Sequence, residues 1–174
     1  LSENGQLQAG RLDIIEGGDR VEAQDSIRHY IPQREASKTA EQADKIKEKG
    51  NAFSAEMTIQ SSTLRYEKQQ NMILYGGRVT VRSGELNLSS DTLEAAVTEK
   101  GGGIDHATAR GRVYLRQKGK EGTADVAEYF LSPHKFVLTG NPAEIREPGK
   151  VRTSAPQLTY FITDDRILFG NKQE

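Results

Sequence analysis

Gly122-Thr123-Ala124-Asp125-Val126-Ala127-Glu128-Tyr129-Phe130, followed by Phe136-Val137-Leu138-Thr139-Gly140-Asn141-Pro142, is the stretch on which the fold turns. A small residue precedes an apolar-x-aromatic element by three positions. A polar turn follows, then an alternating apolar strand that runs into glycine. Outward from this copy the same order returns. One copy has Ser61, Leu64-Arg65-Tyr66, Met72-Ile73-Leu74-Tyr75-Gly76 and Val79-Thr80-Val81. Another has Ser90, Leu93-Glu94-Ala95, Ala107-Thr108-Ala109-Arg110-Gly111 and Val113-Tyr114-Leu115. The last has Ala155, Leu158-Thr159-Tyr160 and Arg166-Ile167-Leu168-Phe169-Gly170, and a worn first copy has Ala9, Leu12-Asp13-Ile14 and Val21-Glu22-Ala23-Gln24-Asp25. An internal repeat of this kind governs the fold before any single motif does.

Apolar residues alternate with polar ones inside each copy, the period of a half-buried strand. Between Ser61 and Leu64 the parity of the apolar positions flips, which a straight strand cannot do without turning its core face to water. A bend is expected there, at the small residue. A second parity break, as between Leu74 and Val79, is expected to be a β-bulge at Gly76, Gly111 and Gly140, with Asp25 in the equivalent place. The links Arg82-Ser83-Gly84-Glu85, Gln117-Lys118-Gly119-Lys120 and Glu147-Pro148-Gly149-Lys150 read as tight turns at one end. Ser132-Pro133-His134-Lys135, Thr163-Asp164-Asp165 and Glu16-Gly17-Gly18-Asp19 read as turns at the other. Links so short make neighbouring strands antiparallel. The expected fold is all-β: ten or so bent strands in one antiparallel hairpin stack with an apolar inside.

The small residues Ala9, Ser61, Ser90, Ala124 and Ala155 are separated by 52, 29, 34 and 31 positions. The long first interval marks an insertion at about residues 33–53, rich in Ala, Glu, Lys and Gln. Its composition favours a mobile loop over a weak surface helix. The 174 residues otherwise suit one domain, 1–174, with a single core. With 24 basic and 25 acidic residues and no basic stripe, the chain lacks the clustered cations of a phosphate-backbone binder, so no nucleic-acid partner is expected. No apolar run approaches the ~20 residues that cross a bilayer. The chain opens Leu1-Ser2-Glu3-Asn4 without a signal peptide, which reads as a mature form or an excised domain. Zero cysteines exclude disulfides and thiolate metal sites, and leave the compartment open.

Several motifs point to chemistry and are outweighed. Ser132-Pro133-His134-Lys135 matches the Ser-x-x-Lys pattern of serine acylases, with Ser90-Asp91-Thr92 as a faint companion. That chemistry needs the lysine one helical turn from the serine, and Pro133 in a turn opposes a helix. His29, His106 and His134 are too far apart for a metal motif, so no metal is expected. Asn87-Leu88-Ser89 is a glycosylation pattern in mid-strand, and Gly101-Gly102-Gly103 is a flexible turn with no helix pattern behind it.

The copy at 122–142 resembles the hallmark repeat of the OstA-like family: a small residue, a Leu-x-Tyr element, a turn, then apolar-x-Leu-x-Gly-Asn. Leu64-Arg65-Tyr66 with Met72–Gly77 repeats it, as does Leu158-Thr159-Tyr160 with Ile167-Leu168-Phe169-Gly170-Asn171. Residues 55–174 follow the pattern well and 5–31 loosely. Asp25, Gly77 and the long turn from Val97 to His106 depart from it.

The resemblance implies a β-jellyroll shaped like a half-open taco. It implies a protein of the Gram-negative periplasm that is not an enzyme, uses no cofactor and holds the acyl chains of lipopolysaccharide inside the fold. It also implies end-to-end stacking on other OstA-like domains through edge strands, bridging inner and outer membranes, with a head-to-tail homo-oligomer as one form. A uniform apolar lining suits cargo that must be released, each buried methylene contributing about 0.8 kcal/mol. The residues expected to line the interior are Leu64, Tyr66, Met72, Leu74, Val79, Val81, Leu86, Leu88, Val113, Leu115, Phe136, Leu138, Ile145, Leu158, Tyr160 and Leu168. Two other classes compete: a ligand-free structural or adhesive β-repeat protein, in which these residues are ordinary core, and a carbohydrate-active β-solenoid. The solenoid would show a carboxylate pair at a fixed rung position, and none is seen.

Overall fold

Each long strand of the protein changes face part-way along, and the places where it does so line up across the sheet. The computed structural model describes residues 5–32, 56–97 and 104–170, so the insertion at 33–53 lies outside the described residues. The strands are β1 (Gln6–Gln8), β2 (Arg11–Ile15), β3 (Arg20–Ile31), β4 (Met57–Glu67), β5 (Met72–Ser83), β6 (Leu86–Val97), β7 (Ile104–Gln117), β8 (Lys120–Phe130), β9 (Lys135–Arg146), β10 (Thr153–Phe161) and β11 (Arg166–Gly170). All pairings are antiparallel and, from β3 on, follow chain order. β1 and β2 both pair with β3, on its second and first halves, and act as one strand broken at the bend.

The bends are built in two ways. In β3, β5 and β7 two successive residues take left-handed backbone: Asp25-Ser26, Gly77-Arg78 and Gly111-Arg112. Each pair stands against one residue of the next strand, Ser62, Asp91 and Asp125, which is the two-against-one count of a β-bulge. The bulge of β5 thus falls on Gly77-Arg78 and not on Gly76. In β9 Gly140 is not left-handed. There Gly140-Asn141-Pro142, with a cis Asn141–Pro142 bond, stands against the single Pro156. Glycine is required where the chains touch: a Cβ on Gly77, at φ +75°, would lie 2.7 Å from Cβ of Ser62. The even strands bend without a bulge. Ser61 and Ser90 each donate a hydroxyl hydrogen bond to the carbonyl two residues on, Thr63 at 3.0 Å and Thr92 at 2.9 Å. This is a local side-chain turn at the expected small-residue position.

The line of bends divides the sheet into two wings. The first holds β2, the start of β3 and the segments Thr63–Glu67, Met72–Gly76, Thr92–Val97, Ile104–Arg110, Val126–Phe130, Lys135–Thr139, Gln157–Phe161 and β11. The second holds β1, the end of β3, and Met57–Gln60, Val79–Ser83, Leu86–Ser89, Val113–Gln117, Lys120–Thr123, Ala143–Arg146 and Thr153–Ala155. Contacts across the fold show that the wings face one another. Nδ1 of His29, on the second wing, is 2.7 Å from the hydroxyl of Tyr75 on the first. A Cβ on Gly122 of the second wing would lie 3.0 Å from Cδ1 of Leu138 on the first. The sheet is therefore an antiparallel β-jellyroll folded about its apolar face.

Candidate functional site

Among the described residues, the buried apolar side chains form one cluster between the wings. From the first wing it takes Leu64, Ile73, Tyr75, Leu93, Tyr129, Phe136, Leu138, Leu158 and Tyr160. From the second it takes Ile27, Met57, Ile59, Val79, Val81, Leu86, Leu88, Val113, Leu115 and Ile145. Of the residues expected to line it, Leu64, Val79, Val81, Leu86, Leu88, Val113, Leu115, Phe136, Leu138, Ile145, Leu158 and Tyr160 are brought together there. Tyr66 sits at its margin, partly buried and packed against it.

Three expected residues point the other way. Met72 and Leu74 face outward and Leu168 is 44% exposed, while their neighbours Ile73, Tyr75 and Ile167 turn inward. Register explains the reversal. Ile73 and Tyr75 stand opposite Ala95 and Leu93, both buried, and Leu74 opposite Glu94. Met72–Tyr75 is apolar at every position, so alternation within the run cannot fix its face.

Sequence reading also passed over the polar residues of the interior. His29, Ser83 and Gln117 are buried on the inner face. Burial pushes the imidazole of His29 down to about 4 and raises the phenol of Tyr75 well above its ordinary value, so the pair is neutral. His29 lies in the worn first copy, and its place in the alternation after Ile27 was the one available signal. Of the other histidines, His134 is half-buried with Nδ1 3.4 Å from the Tyr129 hydroxyl, and His106 faces Glu128 at 3.7 Å. Among the described residues no cluster of His, Asp or Glu has the arrangement of a metal site. A hollow of about 250 Å³ lined by Arg28, Thr58, Gln60, Thr80 and Arg82 lies on the outer face of the second wing, away from the apolar interior.

Lining residues such as Ile59, Val79, Leu86 and Phe136 are 0% exposed, so the wings are in contact in this conformation. Among the described residues the inner face continues uncovered at the two ends. Leu12 and Ile14 stand opposite the buried Ala23 and Val21 and are 51% and 67% exposed. Phe169 stands opposite the buried Leu158 and is 69% exposed. The apolar interior thus runs from one edge strand to the other.

A folded antiparallel sheet with a through-running apolar interior defines the class: a β-jellyroll of the OstA-like kind. Residues 58–166 match the family described as the LptA/(LptD N-terminal domain) LPS transport protein, and the chain belongs to that family. Among solved structures the fold is similar to LptH of Pseudomonas aeruginosa, described as the LptA-homologous periplasmic component of the conserved lipopolysaccharide transport device. The TM-score is 0.63 at 18% identity, over 70% of this chain and 86% of that one. No curated protein matches the sequence.

Proposed function

We propose that this protein is a periplasmic lipopolysaccharide carrier that shields acyl chains between its wings and passes them along a stack of similar domains. The observation that carries the reading is the continuous apolar interior, uncovered at both ends. A closed core has no need to expose Ile14 and Phe169 on the same face as Val21 and Leu158. Family membership and the likeness to LptH support it. A carrier of this kind works by burial and needs no catalytic group.

The edges support a reading in which such domains stack. Among the described strands, β11 pairs only with β10, and β1 and β2 only with β3, so each end offers unpaired backbone groups beside exposed apolar side chains. A second OstA-like domain, or a second copy, would satisfy both. Such a stack would bridge inner and outer membranes.

The interior packs to 0–5% exposure at most positions, an observation that also suits a structural repeat protein without cargo. Mass spectrometry of protein isolated from a Gram-negative periplasm separates the two. Lipid A-like species at near-stoichiometric amounts are expected, and their absence from gently isolated protein would favour the structural reading.

A further inference from the structure

Eleven ion pairs are present among the described residues, and one joins the two wings. Lys120 opens β8 at the tip of the second wing. Its Nζ lies 2.8 Å from Oδ2 of Asp165, in the β10–β11 turn at the tip of the first wing. The same ammonium is 3.2 Å from Oε2 of Glu147, at the tip of its own wing. The hydroxyl of Tyr160 donates to Oδ1 of Asp165 at 2.9 Å, and the Lys120 ammonium sits 5.8 Å from the Tyr160 ring centroid. The Lys120 side chain is 11% exposed, whereas Arg11 in its pair with Asp13 is 67% exposed. A long cation ordered between carboxylates of two separate turns is unlike the loosely held pairs elsewhere on the surface. Burial works against the charge of Lys120, yet its partners hold its affinity for a proton above the ordinary value. Lys120 in turn holds the Asp165 carboxyl below its own.

Because the interior is filled, an acyl chain can enter only if the wings part. Parting the tips breaks the Lys120–Asp165 pair. Lys120 then keeps Glu147, whose carboxylate is shared with Lys150 at 2.9 Å. A strongly hydrated point charge, released beside the ring of Tyr160 at the edge of the interior, is a receptor for an anion. We propose that Lys120 is an exchangeable latch at the mouth of the interior. Paired with Asp165 it holds the wings together, and it gives up Asp165 for the anionic head group of an amphiphile whose chain lies between the wings. This inference rests on the carrier reading and adds the group that closes the site and recognises charge.

The test uses the full chain with Asp165→Asn, Lys120→Met and Lys120→Arg, and two fluorescent probes that share one tail: cis-parinaric acid and its methyl ester. In parallel, nitroxides at Arg116→Cys and Thr163→Cys report the distance between the tips, in a chain with no cysteine of its own. Asp165→Asn should lengthen and broaden that distance and speed uptake of both probes about tenfold, equivalent to about 1.4 kcal/mol. Lys120→Met should also speed the ester but abolish the preference for the acid, and Lys120→Arg should restore that preference. An unchanged distance distribution in both Asp165→Asn and Lys120→Met would overturn the latch whatever the probes do. A wild-type acid-to-ester ratio in Lys120→Met would overturn head-group exchange. Failure of both probes to bind any form would sink the carrier reading and the exchange with it, and the tip distances would still decide whether the tie holds the wings.

Discussion

The hydroxyl of Tyr75 meets Nδ1 of His29 at 2.7 Å across the two wings, a polar contact between neutral groups inside an apolar interior. The imidazole of His29 is held near 4 by burial, against 6.5 in an unfolded chain. Between these values the unfolded chain binds a proton that the folded protein refuses. The contribution of His29 to stability is therefore fully present above pH 6.5 and is lost as the pH drops toward 4, by roughly 3 kcal/mol. Denaturant unfolding at pH 7.0 and 4.5, beside His29→Gln, should show a smaller loss in the variant. Identical pH profiles would place His29 in water.

The bends set a second expectation. Gly77 and Gly149 both have positive φ, at +75° and +69°, but a Cβ on Gly77 meets Ser62 at 2.7 Å and one on Gly149 meets nothing within 4 Å. Gly149→Ala should cost about 1 kcal/mol for backbone alone. Gly77→Ala should cost distinctly more, because the bulge of β5 and Ser62 of β4 must separate. Equal midpoints in urea would show that the bend has slack.

Register sets a third. Leu74→Glu places a carboxylate on the outer face opposite Glu94, a like-charge neighbour, and should cost under about 1 kcal/mol. Ile73→Glu places it among buried side chains, where an unpaired charge costs several kcal/mol. Thermal melts of the two variants should differ by about 10 °C. If Leu74→Glu proved the more damaging, the faces of β5 would be the reverse of those described.

The repeat was legible in the sequence because its punctuation was redundant. Ser61, Ser90, Ala124 and Ala155 all fall where the even strands bend, and the turns after Ser83, Gln117 and Arg146 fall where glycine marked them. Reading failed where one position carried no contrast. Gly76-Gly77 offers two glycines for one bulge, and Met72–Tyr75 offers four apolar residues for two faces. Contacts between wings, such as His29 with Tyr75 or Lys120 with Asp165, join residues 46 and 45 positions apart that share no pattern in the sequence. Only the folded sheet brings them together.

Photo-crosslinking from single positions of β9 tests the central claim that lipid lies between the wings. Leu138 is 1% exposed on the inner face, and Val137 is the next residue on the outer face of the same strand. A benzophenone side chain at 138, with lipopolysaccharide added and folding checked by thermal melt, should give a lipid adduct, and one at 137 should give little or none. Equal adducts from both positions, or none from a folded protein labelled at 138, would contradict the account and return the interior to ordinary core.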